Sequence, residues 1–395
     1  MVTRRSRALV LVLSVPVALF FVVGGWLART MSAQGPSTYE HLRIFEDVVS
    51  LISRSYVEQV DVDRVMHGAM HGLADGLDPD SAYLDKTQVA AFQRKAAPPA
   101  GDTGLELTRQ YYLRVIAALD GSPAAQAGLQ PGDYIRAIDG QSTRDTSVFE
   151  GMRLLRGAPG STVRLTVLRG TAVDPHDVVL THAALKAPAV SSRLAAPGAG
   201  LIRIPGFTAD TAAQVTREVT TLRKAGAGRL LVDLRGTATG DLDAALPVAR
   251  LFVRSGTLSY RQERDAEKVA VAAAAGDGSI SLPVVLMTDN GTSGAAEVFA
   301  AALHGNTRAS LVGERTLGRA ARQKLVALPD GSGLLLTYQR YLMPGGAAIS
   351  PRGLSPDVAV AQPTREFGVA PPAGDPILDK ALTAEPPAPP ASPGA

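Results

Sequence analysis

The chain has 395 residues, 46% of them hydrophobic and 19% charged, and no cysteine. That composition excludes wholesale disorder, a disulfide framework, a thiolate metal site and a cysteine nucleophile. Lys+Arg 40 against Asp+Glu 37 leaves a net charge of +3, too little for a dedicated nucleic-acid binder, and at about 100–200 residues per domain the length predicts two or three domains.

Residues Ala8–Ala28 carry no charge. A bilayer core takes about 20 apolar residues as helix, which this run supplies. Arg4, Arg5 and Arg7 precede it and Arg29 alone follows closely, so the positive-inside rule keeps the N-terminus in the cytoplasm and sends the rest across. The reading is a single-pass signal anchor in the cytoplasmic membrane, with the bulk of the chain on the extracytoplasmic (periplasmic) side. A cleaved signal peptide is the rival, but its best cleavage site, Met31-Ser32-Ala33, has Met where a small residue is wanted.

After a short polar linker at 34–38, Tyr39 to Lys95 is predicted helical. Leu42, Phe45, Val48, Val49 and Ile52 recur at helical spacing, and Val65, Met70 and Leu73 follow a turn. Asp78-Pro79-Asp80-Ser81 is expected to stop that helix and cap the next. His67 and His71 share a helix face, but a metal pair needs further ligands and none is evident nearby. Ala96–Asp102 reads as a hinge.

From Gly104 to Gly170 short alternating strands are separated by Gly/Pro turns. Predicted strands are Leu113–Ala117, Tyr134–Ile138 (ending in an Asp139-Gly140 hairpin signal) and Thr162–Leu168. Ser122–Gly128 and Ser147–Leu155 are predicted helices. The result is a small β-barrel with two helices. A strand at Asp177–Leu185 follows within the linker. Beyond Leu201 strands and helices alternate: Leu201–Ile204, Thr208–Ala225, Arg229–Leu234, Leu242–Phe252, Val284–Thr288, Gly294–His304 and Ser310–Val312. That order indicates an α/β layer with parallel pairs. Leu325–Ala327 and Gly333–Tyr341 add a hairpin. Residues 366–395 are a Pro/Ala-rich tail, with one helical turn at Ile377–Leu382.

Two blocks, Ser122–Gly140 and Leu154–Gly170, resemble a PDZ domain of the bacterial processing-protease type. Leu77–Leu84, Gly200–Thr211, Leu230–Gly236, Glu297–Leu303, Val312–Gly318 and Gly353–Val360 resemble, in block order, the C-terminal processing (tail-specific) peptidases. The resemblance covers nearly everything from Tyr39 to about Leu382. It implies an α+β multidomain fold: an N-terminal membrane helix, a helical segment, an inserted PDZ β-barrel and an α/β protease core. The expected domains are 1–33, 34–95, 96–175, 176–365 and 366–395. The implied activity is serine endoproteolysis near a substrate C-terminus, with no cofactor.

The family chemistry uses a Ser–Lys pair supported by a Gln, the lysine being neutral so that it can accept the serine proton. Anchored on Glu297, the resemblance puts the serine position at Gly294, within Thr292-Ser293-Gly294-Ala295-Ala296-Glu297. Glycine has no nucleophile. The same ungapped count puts the lysine at Arg319, whose pKa above about 12 bars it from acting as a base. Gln323 falls at the family's Gln. The oxyanion loop corresponds to Gly236–Gly240, where Thr239 and Gly240 stand for a glycine pair, leaving close backbone approach in doubt. Ser293 is the alternative nucleophile. About 100° of helix rotation takes it out of the site, and its simpler role is helix N-cap. Lys268 and Lys324 are alternative bases only in a rearranged site, and His304 is read as a helix C-terminal histidine.

In the PDZ block, Gly104, Leu105, Glu106 and Leu107 fall at the family's carboxylate-binding loop and following strand, with Leu105 and Leu107 on or beside an apolar pocket. The expected partners are protein or peptide C-termini, which such loops bind by strand addition. Further partners are the membrane through the N-terminal helix and an active protease, in a homo- or hetero-oligomer; nucleic acid is not among them. The main expectation is a pseudoprotease that binds, and the alternative is an active endopeptidase with a displaced nucleophile.

Overall fold

A computed structural model describes residues 38–93, 99–170, 174–186, 189–367, 369 and 374–387. The apolar run at 8–28, read above as a membrane anchor, lies outside the described residues. No helix among the described residues is long and apolar enough to cross a membrane. Two compact units divide between Met70 and His71, inside the helix Val62–Asp75. The first unit holds the helix Thr38–Ser55, along which Tyr39, Leu42, Ile44, Val48 and Leu51 are exposed.

In the second unit the segment after Asp78 departs from expectation. The Asp78 carboxylate accepts the backbone N–H groups of Asp80 (2.9 Å) and Ser81 (2.8 Å). It then feeds a strand, β1 (Ala82–Leu84), rather than a helix. All three β1 residues are buried, and β1 pairs with Gly333, Leu334 and Leu335 far along the chain, so tertiary pairing overrides the local helical pattern. The next helix, Lys86–Gln93, starts at a reciprocal cap between Asp85 and Gln88.

The PDZ-like domain contains β2 (Gly101–Asp102), β3 (Leu105–Gln110), β4 (Tyr112–Ala118), β5 (Tyr134–Ile138), β6 (Gln141–Ser142), β7 (Arg156–Gly157), β8 (Thr162–Leu168) and β9 (His176–Thr181). Its main sheet has the order β3-β4-β5-β8-β9, leaving β3 at an edge. Asp139 (φ 47°) and Gly140 (φ 81°) form the two-residue turn between β5 and β6. Ser122 and Ser147 hydroxyls cap the helices Pro123–Gln126 and Val148–Leu154. Leu105, Leu107, Leu113, Ile135, Leu165 and Leu180 share the core. Because β9 pairs with β8, the domain runs past the boundary at residue 175.

The larger domain is built on β10 (Ser191–Ala196), β11 (Ala199–Arg203), β12 (Arg229–Asp233), β13 (Thr257–Glu263), β14 (Val269–Ala272), β15 (Val284–Thr288), β16 (Ala309–Gly313), β17 (Ala321–Ala327), β18 (Gly333–Leu342) and β19 (Val358–Ala359). Its six-stranded sheet has the order β10-β11-β12-β15-β16-β19, parallel except at β10. Alternate residues face opposite sides. Ile202, Val232 and Leu286 meet the helices Thr211–Lys224, Ala245–Arg250 and Ala295–Gly305. Leu201, Leu231 and Met287 meet Ile377 and Ala381. Those two lie on the helix Pro376–Thr383, which is therefore part of the core rather than of a loose tail. β1, β18, β13 and β14 form a second, antiparallel sheet with β17 beside β18. The expected helix at Leu242–Phe252 is a 3-10 turn, Leu242–Ala244, followed by Ala245–Arg250.

Candidate functional site

The turn between β15 and the helix Ala295–Gly305 is fixed from below by Asp289. Its carboxylate accepts from the N–H groups of Gly236 (2.8 Å) and Gly291 (3.0 Å) and from the Thr292 hydroxyl (3.1 Å). The turn ends at Gly294, with φ 62° and ψ −118°. This is a sharp strand-to-helix elbow of the kind that presents nucleophiles, and a conformation L-residues rarely adopt. A Cβ built there would meet nothing closer than Leu242 Cδ2 at 3.8 Å and the Ala238 and Arg319 carbonyl oxygens at 4.0 Å. The elbow therefore has room for a Cβ that the sequence does not supply.

Glu297, fully buried one turn into the helix, ties this elbow to the next loop. Its carboxylate accepts from the N–H groups of Gly294 (3.0 Å), Gly318 (2.6 Å) and Arg319 (2.7 Å) and from the Thr316 hydroxyl. Burial pushes its pKa up, and these hydrogen bonds work against that rise. The arrangement corrects the N-cap expectation for Ser293. Gly294 is the cap residue, and the Glu297 carboxylate takes its N–H. Ser293 is 1% exposed, and its hydroxyl has no hydrogen-bond partner among the described residues.

Arg319 shares the Glu297 clamp through its backbone, and its side chain contacts Asp80 and Leu107. One guanidinium nitrogen lies 2.7 Å from Asp80, and another donates to the Leu107 carbonyl at 3.2 Å. Burial disfavours its charge, yet the Asp80, Glu106 and Glu297 carboxylates outweigh that and hold its pKa above the usual arginine value. Asp80 escaped the sequence reading as a partner for residue 319. Its only signal was the Asp78–Ser81 turn, and the separation of some 240 residues is closed only by folding.

Gln323 sits in β17 and donates to the Thr337 hydroxyl at 3.2 Å. Lys268 reaches the Gly346 carbonyl, and Lys324 lies 5.0 Å over the Tyr338 ring. His304 pairs with Asp357 at 3.0 Å. The doubt about close approach in the Gly236–Gly240 loop is met by Gly240 alone. With φ 121°, it lies where a Cβ would fall 2.2 Å from the Phe207 carbonyl oxygen. The Thr239 carbonyl accepts from Phe207 N–H at 3.1 Å.

On the PDZ side, the Gly104 N–H is already engaged by the Asp102 carboxylate at 2.9 Å. Its φ of 81° and a Cβ position 2.2 Å from that of Ser122 make it a turn glycine. Leu105 and Leu107 lie in the domain core. Glu106 projects between them to the opposite face. Burial pushes its carboxyl up to about 7, with Arg319 partly offsetting the rise.

The sequence model of peptidase family S41 matches residues 198–360, a PDZ model matches 114–169, and a model of the activating protease CtpB N-terminal domain matches 27–88. The chain is 35% identical over 297 residues to the carboxyl-terminal-processing protease of Synechocystis sp., covering 73% of this chain and 69% of that one. It is 29% identical to carboxy-terminal processing protease CtpA of Bacillus subtilis, covering 85% and 72%. Among solved structures, the photosystem II D1 C-terminal processing protease superposes with a TM-score of 0.67 at 27% identity, covering 80% of this chain and 92% of the other.

Proposed function

Because the chain belongs to peptidase family S41, the carboxyl-terminal-processing proteases, we propose that it is a pseudoprotease: a member that keeps the fold but lacks the Ser–Lys pair. The observation that carries this reading is the pairing of an empty elbow at Gly294 with an arginine at 319 whose charge is committed to Asp80. A serine there would need a base able to lose its proton near neutral pH, and a guanidinium held by carboxylates does the opposite. Losing nucleophile and base together leaves binding.

The binding function is assigned to the PDZ domain, with protein C-termini as ligands and an active protease or its substrate as the source. The charge asymmetry around residues 8–28 supports placement in the cytoplasmic membrane with the folded units outside it. The test is cleavage of an unfolded protein by the intact chain in detergent, beside a Gly294→Ser/Arg319→Lys double variant. The unmodified chain is expected to cleave nothing. Cleavage that disappears on Ser293→Ala would overturn the reading in favour of a displaced nucleophile.

A further inference from the structure

Leu107 lies opposite Val115 in the β3–β4 ladder. The Val115 N–H and C=O are both spent on the other side of β4, on the Asp133 carbonyl (2.8 Å) and the Gly132 N–H (2.9 Å). Leu107 and Val115 are therefore a non-hydrogen-bonded pair, and the Leu107 N–H and C=O point outward from the sheet. β3 is the edge strand, so these groups face the side where an added strand would pair. The outward Leu107 carbonyl is occupied by the Arg319 guanidinium at 3.2 Å. The same guanidinium is anchored 2.7 Å from Asp80, on a turn fixed by Asp78.

We propose that Arg319 is an internal competitor for the PDZ strand edge: its guanidinium caps the Leu107 carbonyl, and a peptide strand with a free C-terminal carboxylate must displace it to pair with β3. The inference rests on the peptide-binding part of the function proposed above. It adds that the larger domain sets the affinity through a single side chain. A peptide brings an N–H for the Leu107 carbonyl and a carboxylate that can take over the charge of Arg319. Displacement breaks the Arg319–Leu107 bond, so peptide binding and the position of Arg319 are reciprocally linked. Arg319 acts here as a positioning residue, with no part in bond making.

The test uses the intact chain in detergent and one probe, a fluorescein-labelled decapeptide of alternating Ala and Val with a free C-terminal carboxylate. Binding is compared among the unmodified chain, Arg319→Met and Asp80→Asn/Arg319→Met. The double variant removes both charges, so that no orphaned carboxylate compromises folding. Amide hydrogen exchange over residues 104–110 is followed in the same three chains without peptide. Losing one competing hydrogen bond of ordinary strength corresponds to about fivefold tighter binding in both variants. Equal or weaker binding by the double variant overturns the proposal. If no chain binds the probe, exchange decides. Acceleration over 104–110 in both variants supports the competitor and counts against the peptide-binding function. Unchanged exchange overturns the competitor itself.

Discussion

The backbone N–H of Arg319 donates to the buried carboxylate of Glu297 at 2.7 Å, while the Arg319 guanidinium meets Asp80 and the Leu107 carbonyl. One residue thus belongs to two structures. Its main chain completes the clamp beneath the Gly294 elbow. Its side chain joins the larger domain to the PDZ edge.

The clamp predicts a large cost for Glu297→Ala. Four donors lose their acceptor together: the N–H groups of Gly294, Gly318 and Arg319 and the Thr316 hydroxyl. At least about 3 kcal/mol of unfolding free energy is expected to go, read by urea denaturation. Glu297→Gln, which keeps one carbonyl oxygen, is expected to fall between the two. Equal stability of the alanine variant would remove the clamp from the account.

Gly294→Ala tests the elbow. The pocket around the new Cβ is open, so any penalty comes from φ 62° rather than from collision. A loss of about 1–3 kcal/mol is expected, and Gly294→Ser is expected to match it. A neutral effect in thermal melts would mean that the turn relaxes to ordinary dihedrals.

The buried pair Arg169–Asp133 predicts a third loss. The two side chains are 6% and 1% exposed and 2.6 Å apart. Arg169 also donates to the Gly128 and Arg365 carbonyls and stacks on Phe367 at 3.6 Å. Arg169→Met strands the Asp133 carboxylate and is expected to cost about 3–5 kcal/mol in denaturant unfolding. Asp133→Asn/Arg169→Met is expected to recover part of it. Failure of the pair to show coupling in that cycle would contradict the geometry.

Glu106 predicts a pH dependence. Its carboxyl is raised from 4.5 to about 7 by burial, so the folded state holds a proton that the unfolded state has released between those values. The contribution of Glu106 is therefore most favourable below about pH 4.5. It fades as pH rises to about 7 and stays at its least favourable above that. The span corresponds to at most about 3 kcal/mol. Glu106→Gln is expected to raise the melting temperature at pH 8 and to leave it nearly unchanged at pH 4.5. The opposite ordering would show that Arg319 outweighs burial at this carboxylate.

The parallel pairing of the core strands, the PDZ hairpin at Asp139-Gly140 and the absence of a side chain at residue 294 were legible in the amino-acid sequence alone. Apolar runs, turn glycines and residue identity are local properties, legible one segment at a time. The sequence misjudged β1 and Ser293, and did not show that the C-terminal helix packs on the core, for one physical reason. Ala82–Leu84 becomes a strand because β18 is beside it, and Gly294 is capped by a carboxylate from the helix it begins. Pro376–Thr383 is held because Ile377 and Ala381 cover the second face of the sheet. Where the Arg319 charge goes was likewise beyond the sequence. Asp80 and Leu107 lie more than two hundred residues away along the chain, and only tertiary packing brings a loop, an edge strand and a guanidinium within hydrogen-bonding distance.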